Sequence, residues 1–242
     1  LKQIFVCSYF FLFCALFSDQ SLPWVEKGYH GLELEYIEPF LPPNPVILEA
    51  GGHYGEDTVI FARKWPSAEI YTFEPCPTYY KKLARRVKKF PRIHSFPFGL
   101  YSVTGSYTFH VSKNWDGASS LLEDNKLPTV SYEDSQITVF CKNLDEWAEE
   151  SQVDHIDYMW LDMEGAELHV LKSAPRILKN VRALSCELNH HEFRKGMCDF
   201  EEMKNFLESE GFVLYKIWAL PGGAQGTWQS TGVFIRSEFL KG

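Results

Sequence analysis

The chain has 242 residues, 45% of them hydrophobic and 16% aromatic, which excludes a disordered protein and leaves enough material for one α/β domain with a full core. A formal net charge of -8 with no long compensating basic run argues against a nucleic-acid backbone as the main partner. Six cysteines without C-x-x-C spacing suggest neither a zinc knot nor a disulfide framework.

Lys2 precedes an apolar run from Ile4 to Phe17, shorter than the roughly 20 residues a membrane span needs and suited to a signal-peptide core. Residues 1–18 are expected to be a signal-like or anchor segment, with a buried extension as the alternative. A tether through residues 4–17 would place the protein on the cytoplasmic face of a membrane, and cleavage would mean export. Residues 19–45 carry Pro23, Pro39, Pro42, Pro43 and Pro45 among Trp24, Tyr29 and Tyr36 and read as an ordered lead-in. The main domain is expected over 46–242.

Val46-Ile47-Leu48-Glu49-Ala50-Gly51-Gly52-His53-Tyr54-Gly55 reads as strand, tight glycine turn and helix start, with Glu56, Asp57 and Thr58 opening the helix. In an open α/β sheet the crevice beyond such a strand end binds ligands. Gly51 and Gly52 are adjacent, so the loop lacks the G-x-G-x-x-G spacing of a pyrophosphate cradle. Acids stand there instead: Glu49 two residues before Gly51, and Glu74 at the end of the next apolar run, Glu69 to Phe73. A strand-end acid can accept hydrogen bonds from both ribose hydroxyls, and an acidic lining suits an amino group and a sulfonium in place of phosphates. That describes S-adenosylmethionine. The competing reading is a structural glycine turn.

Thr58 to Trp65 is predicted as a helix stopped by Pro66, and Thr78 to Phe90 as a second whose Lys81–Lys89 cations form a solvated face. Ile93 to Leu100 has the character of a third parallel strand, with Gly99 near its end as a further cofactor contact, and Ser106 to Val111 of another strand. Lys113 to Leu121 reads as a loop that closes over the cofactor or acceptor, or as an ordinary connection. Gln136 to Cys141 forms a strand and Asn143 opens a helix.

Ile156 to Leu161 is a buried strand ending in Asp162-Met163-Glu164-Gly165-Ala166-Glu167. Asp162 would stand beside the cofactor strand, able to hold the cofactor's amino group or to take a proton from an acceptor hydroxyl, while crowding with Glu164 and Glu167 raises their pKa values. Helix capping is the competing reading of these acids. Val181 to Leu188 is a further strand, ending in Glu187-Leu188-Asn189-His190-His191-Glu192, whose two histidines and two acids would supply a general base, His191 being the second candidate, or line the acceptor site, with a surface polar turn as the competing reading. Adjacent histidines in a strand point to opposite faces, so no metal site is expected there. Phe200 to Gly211 reads as an amphipathic helix, Phe212 to Ala219 and Gly232 to Arg236 as closing strands, and Pro221 to Gly226 as a loop beside the acceptor pocket.

The glycine loop, Phe73-Glu74-Pro75, Asn143-Leu144-Asp145 and above all Leu161-Asp162-Met163-Glu164-Gly165-Ala166-Glu167 with Leu171-Lys172 resemble the FkbM-type methyltransferases from about Val46 to Ile235. The resemblance implies a class I methyltransferase fold, a Rossmann-like, doubly wound, mostly parallel seven-stranded α/β sheet. It further implies S-adenosylmethionine-dependent transfer to an oxygen of a small-molecule acceptor, often a sugar or natural product. Carried over, Glu49, Gly51, Gly52 and Gly55 lie beneath the methionine moiety and Glu74 on the ribose. The expected cofactor contacts are Glu49, Gly51, Gly52, Gly55, Asp57, Thr58, Glu74, Gly99 and Asp162, and the expected catalytic residues are Asp162, Glu164 and His191. Trp160 stands where the family often has Lys, and Glu49 where it often has Asp. The alternatives are a dinucleotide-dependent oxidoreductase and a cofactor-binding module without catalysis.

Overall fold

The computed structural model describes residues 32–126, 134–219 and 229–241. The signal-like segment 1–18, residues 19–31 of the lead-in and the Pro221–Gly226 loop lie outside them. The described lead-in begins with helix α1 (Leu32–Ile37), whose Leu34 and Ile37 are buried.

The main sheet is built from β1 (Val46–Ala50), β2 (Glu69–Phe73), β3 (Ile93–Phe96), β7 (Tyr158–Leu161), β8 (Ala183–Asn189), β9 (Phe212–Ala219) and β10 (Gln229–Arg236). Their order is β3-β2-β1-β7-β8-β10-β9, with β10 antiparallel to both neighbours and the remaining pairs parallel. This is the expected mostly parallel seven-stranded α/β sheet. Strands β1 and β7 at its centre are almost wholly buried, as a sheet covered on both faces requires, which is why they read as unbroken apolar runs. Chain order reverses between β1 and β7, so the crevice at their carboxyl ends is the switch point of the sheet.

Helices α2 (Glu56–Lys64), α3 (Pro77–Val87), α4 (Leu144–Glu150), α5 (Glu167–Lys172), α6 (Pro175–Leu178) and α7 (Phe200–Ser209) connect the strands. One face of the sheet buries Leu48, Met159, Leu161 and Leu184 with Trp147, Val170 and Leu207. The other packs Ile47, Ile70, Tyr158 and Val233 against Phe61, Trp65 and Ile37. Trp160 joins this second cluster at 4% exposure, so the indole that replaces a family lysine is a core residue beneath α2. Helix α3 buries Tyr79, Leu83 and Val87 at a spacing of four and turns its cations outward, as its amphipathic pattern predicts. Asn143 caps α4, its Oδ1 accepting from Glu146 N–H at 3.1 Å.

Two expectations are corrected. The run Ile93 to Leu100 divides, β3 staying in the main sheet while β4 (Gly99–Leu100) enters a second sheet of order β4-β6-β5. Strands β5 (Gly105–Ser112) and β6 (Asp134–Lys142) pair antiparallel in that sheet and take no part in the parallel one. Alternating polarity marks a half-exposed strand without revealing its partner, which is why the sequence did not separate the two sheets. The expected membrane tether or export segment is corrected as well. Among the described residues no helix is long and apolar enough to cross a membrane, and the run 4–17 is itself too short for a span and lies outside them.

Candidate functional site

Parallel pairing brings the carboxyl ends of β1, β2 and β7 together, so residues far apart in sequence share one crevice. Gly51 and Gly52 N–H both donate to Phe73 O, at 3.0 and 2.9 Å, binding the glycine turn to the end of β2. Asp162 N–H donates to Ala50 O at 3.0 Å, binding it to the end of β7. Gly51 has φ +94°, and a Cβ on it would stand 1.8 Å from Asp162 O, so only glycine fits between these strand ends.

The crevice opens into a cavity of about 870 Å³. Its lining includes Glu49, Asp57, Glu74, Asp162, Glu164 and Glu187, and among the described lining residues none is Lys or Arg. Of the expected cofactor contacts, Glu49, Gly51, Gly52, Asp57, Glu74, Gly99 and Asp162 line it. Thr58 does not. It is fully buried behind Glu49 and donates to Glu49 Oε2 at 2.5 Å. Gly55 is also off the cavity; at φ +81° it closes the turn, its N–H donating to Gly52 O at 2.7 Å, and it packs on Leu83 and Val87 of α3.

The acids are held in different ways. Glu74 accepts from His53 N–H at 2.9 Å and from Cys76 N–H at 2.7 Å, one bond on each carboxylate oxygen. Burial nevertheless pushes its pKa up to about 8 against those two bonds. Glu49, at 1% exposure, is also raised to about 8, first by burial and then by Asp57, with the Thr58 hydroxyl opposing. Both groups are therefore poised near neutrality, where a cationic ligand tips them to the carboxylate.

Asp162 and Glu164 do not cap a helix. They occupy a loop between β7 and α5, with Glu164 at φ +53° and Gly165 at φ +104°. Burial, then Asp162 and Glu167, raise Glu164 well above the usual carboxylate range. Glu187, at the end of β8, is raised the same way by burial and by Asp162, Glu164 and Glu167. His191 is not brought to this group. It is exposed and absent from the cavity lining, because the chain leaves the sheet after Asn189, and its neighbour His190 pairs with Ser230 at 2.9 Å and stacks on Phe200.

Sequence reasoning offered Glu187 only as one of two acids at a strand end, outside the named catalytic set, and it expected Lys113 to Leu121 to close over the site without placing Phe109 in that far wall. That wall is formed by Phe109, Trp115 to Ser119 and Leu121 from the second sheet and its loop. It meets the glycine loop at Tyr54, which donates to Asp116 Oδ2 at 2.6 Å, and at His53, which stacks on Tyr54 at 3.7 Å. Burial lowers the pKa of His53 against the pull of Asp116 and Glu56.

The methyltransferase FkbM domain model matches residues 49–214. The chain is 28% identical over 193 residues to the 2-O-methyltransferase NoeI of Sinorhizobium fredii, covering 76% of this chain and 78% of that protein. It is 31% identical over 162 residues to the methyltransferase sdnD of Sordaria araneosa, covering 54% of this chain and 61% of that protein. In fold it resembles a methyltransferase FkbM from Methylobacillus flagellatus, with a TM-score of 0.52 at 16% identity, covering 80% of this chain and 44% of that one. It also resembles M. capricolum TrmK, solved with S-adenosyl-homocysteine, with a TM-score of 0.51 at 8% identity over 86% of this chain and 70% of that one.

Proposed function

The chain belongs to the methyltransferase FkbM family, and on that premise we propose that it transfers a methyl group from S-adenosylmethionine to a hydroxyl oxygen of a small molecule, a glycan being one candidate acceptor. The observation that carries this reading is the charge of the cavity: its walls present carboxylates and, among the described residues, no Lys or Arg. Phosphates would be repelled there, whereas a sulfonium and an ammonium group find counter-charges.

The donor set fits that cofactor. Glu74 keeps acceptor capacity on each oxygen after its bonds to His53 and Cys76, which suits it to the ribose hydroxyls. Glu49 and Asp57, behind the bare backbone of Gly51 and Gly52, would hold the charged amino-acid end. Thr58 fixes Glu49 and Gly55 shapes the turn, so both act through their neighbours. When bound, the cofactor supplies an electrophilic methyl group, and the task left to the protein is to align an acceptor and take its proton. Asp162, at the end of β7 with Glu164 beside it, is the proposed base. NoeI, named a 2-O-methyltransferase, supports oxygen as the accepting atom.

Calorimetric titration of the full chain with S-adenosylmethionine and, separately, NAD tests the reading. Micromolar binding of the first alone, weakened in Glu74→Gln, is expected; binding of NAD alone would make the protein a dinucleotide enzyme. With binding established, S-adenosylhomocysteine release is followed over a panel of glycosides and simpler alcohols. Asp162→Asn should keep cofactor binding and lose turnover, and near-normal turnover would remove Asp162 from the chemistry.

A further inference from the structure

We propose that Asp162, Glu164 and Glu187 form a binding site for one hard divalent cation, Mg²⁺ or Mn²⁺, in the wall of the cavity. The three residues come from two adjacent parallel strands: Asp162 and Glu164 follow β7, and Glu187 lies near the end of β8, whose residue Cys186 pairs with Leu161. One carboxylate oxygen from each lies within 4.8 Å of the other two. Opposite oxygens around an ion with bonds of about 2.1–2.4 Å stand roughly 4.2–4.8 Å apart, so an ion fits between these carboxylates with little movement. All three line the cavity, so the position is reachable from solvent.

A second observation comes from beneath the cluster. Glu167 is fully buried and uses Oε1 to accept from Met163 N–H at 2.8 Å and Gly165 N–H at 3.3 Å, the amides on either side of Glu164. Its other oxygen, Oε2, is buried without a hydrogen-bond partner. These bonds hold the carboxylate against the loop that carries Asp162 and Glu164, and its charge acts on both Glu164 and Glu187. Four acids thus converge. The guanidinium whose charge reaches Glu164, that of Arg194, is committed to Asp134 at 2.9 Å and to the carbonyls of Leu122 and Ala118. Such a cluster either holds protons or takes up a cation, and a cation entering it would displace those protons.

Oxygen-only ligands select a hard cation over zinc or copper. Three carboxylates each giving one oxygen leave the remaining positions to water or to oxygens of an acceptor, and leave Asp162 a second oxygen for a proton. Gln229 Nε2 lies 3.4 Å from Glu187 Oε2 and supports that carboxylate from β10. This site is independent of the methyl-transfer reading, because the metal alone reports it.

The experiment titrates Mn²⁺ into the full chain without cofactor or acceptor, following free Mn²⁺ by electron paramagnetic resonance and the melting temperature in parallel, with choline chloride at matched ionic strength. The variants are Glu187→Gln and Glu164→Gln, isosteric changes that relieve repulsion and so preserve folding, and His190→Ala/His191→Ala as a control. One saturable site per chain is expected, competed by Mg²⁺ and kept in the histidine control. Either Gln variant should weaken it at least about tenfold, the loss that even outer-shell substitutions cause at metal sites. Absence of saturable binding at millimolar Mn²⁺, full retention in Glu187→Gln, or equal stabilisation by choline chloride would each overturn the proposal.

Discussion

The amide of His53 donates to Glu74 Oε2 at 2.9 Å, so the glycine loop after β1 holds the acid that ends β2. His53 reaches this position with φ +43°, a left-handed conformation uncommon outside glycine, and the bond is part of what sustains it. The carboxylate of Glu74 is oriented before any ligand arrives.

Replacing Glu74 by Gln keeps the shape but removes the charge and half the acceptor capacity. Hydrogen bonds to a charged group contribute about 1.5–3 kcal/mol, so S-adenosylmethionine should bind roughly 10- to 100-fold more weakly, and the melting temperature should fall by a few degrees because the Gln amide nitrogen faces one of the two backbone N–H donors. Isothermal titration of the variant measures the first and a thermal melt the second; unchanged affinity would take Glu74 out of the cofactor site.

Gly51→Ala should be far more damaging than an alanine on an open loop. The added Cβ meets Asp162 O at 1.8 Å, and the strained φ alone costs about 1–3 kcal/mol. The strand ends of β1 and β7 must then part, which disturbs both halves of the site. Gly196→Ala is the comparison: φ is also positive, at +77°, but no atom lies within 4 Å of the new Cβ. Chemical denaturation of the two variants should show a clearly larger loss for Gly51→Ala.

The β1 half of the site was legible because its parts are local: Glu49, Gly51 and Gly52 lie within one strand-turn unit, and Glu74 one βα unit later. Asp162 was legible as a strand-end acid. Glu187 was legible only as one of the acids in the polar segment Glu187 to Glu192, because its meeting with Asp162 depends on β7 pairing with β8. His191 was read as near the site because strand and turn were taken as continuous, whereas β8 ends at Asn189 and the next residues turn outward. The wall around Trp115 depends on β5 and β6 forming their own sheet, and no local pattern encodes that pairing.

Arg194 fastens that wall. At 1% exposure it pairs with Asp134 and donates to the carbonyls of Ala118 and Leu122, on either side of Ser119 and Leu121 in the cavity lining. Removing one partner of a buried pair leaves the other charge uncompensated, a loss of about 3–5 kcal/mol. Arg194→Met should lose stability of that order in urea, and Arg194→Met/Asp134→Leu should recover part of it; a single variant as stable as wild type would mean that the pair contributes nothing.

Glu49 and Glu74 also predict how stability and cofactor affinity depend on pH. Their pKa values of about 8 in the folded protein lie above the ordinary glutamate value of 4.5, so across this interval the folded state holds more protons than the unfolded one. Stability of the cofactor-free protein should therefore fall as pH rises from about 5 to about 8. A cationic cofactor favours the carboxylate form, lowers both pKa values and releases protons on binding, so affinity should rise over the same interval. The rise should level off near pH 8, where the free acids are ionised and an α-amino group, with an ordinary pKa of about 7.7–8.0, begins to lose its own charge. Titrations of S-adenosylmethionine at pH 6 and pH 8 in buffers of different ionisation enthalpy measure both the affinity and the protons released. Tighter binding at pH 8 with proton release at pH 6, both reduced in Glu74→Gln, is the expected result, and proton uptake on binding would mean that these two acids are not the groups that meet the cofactor's charge.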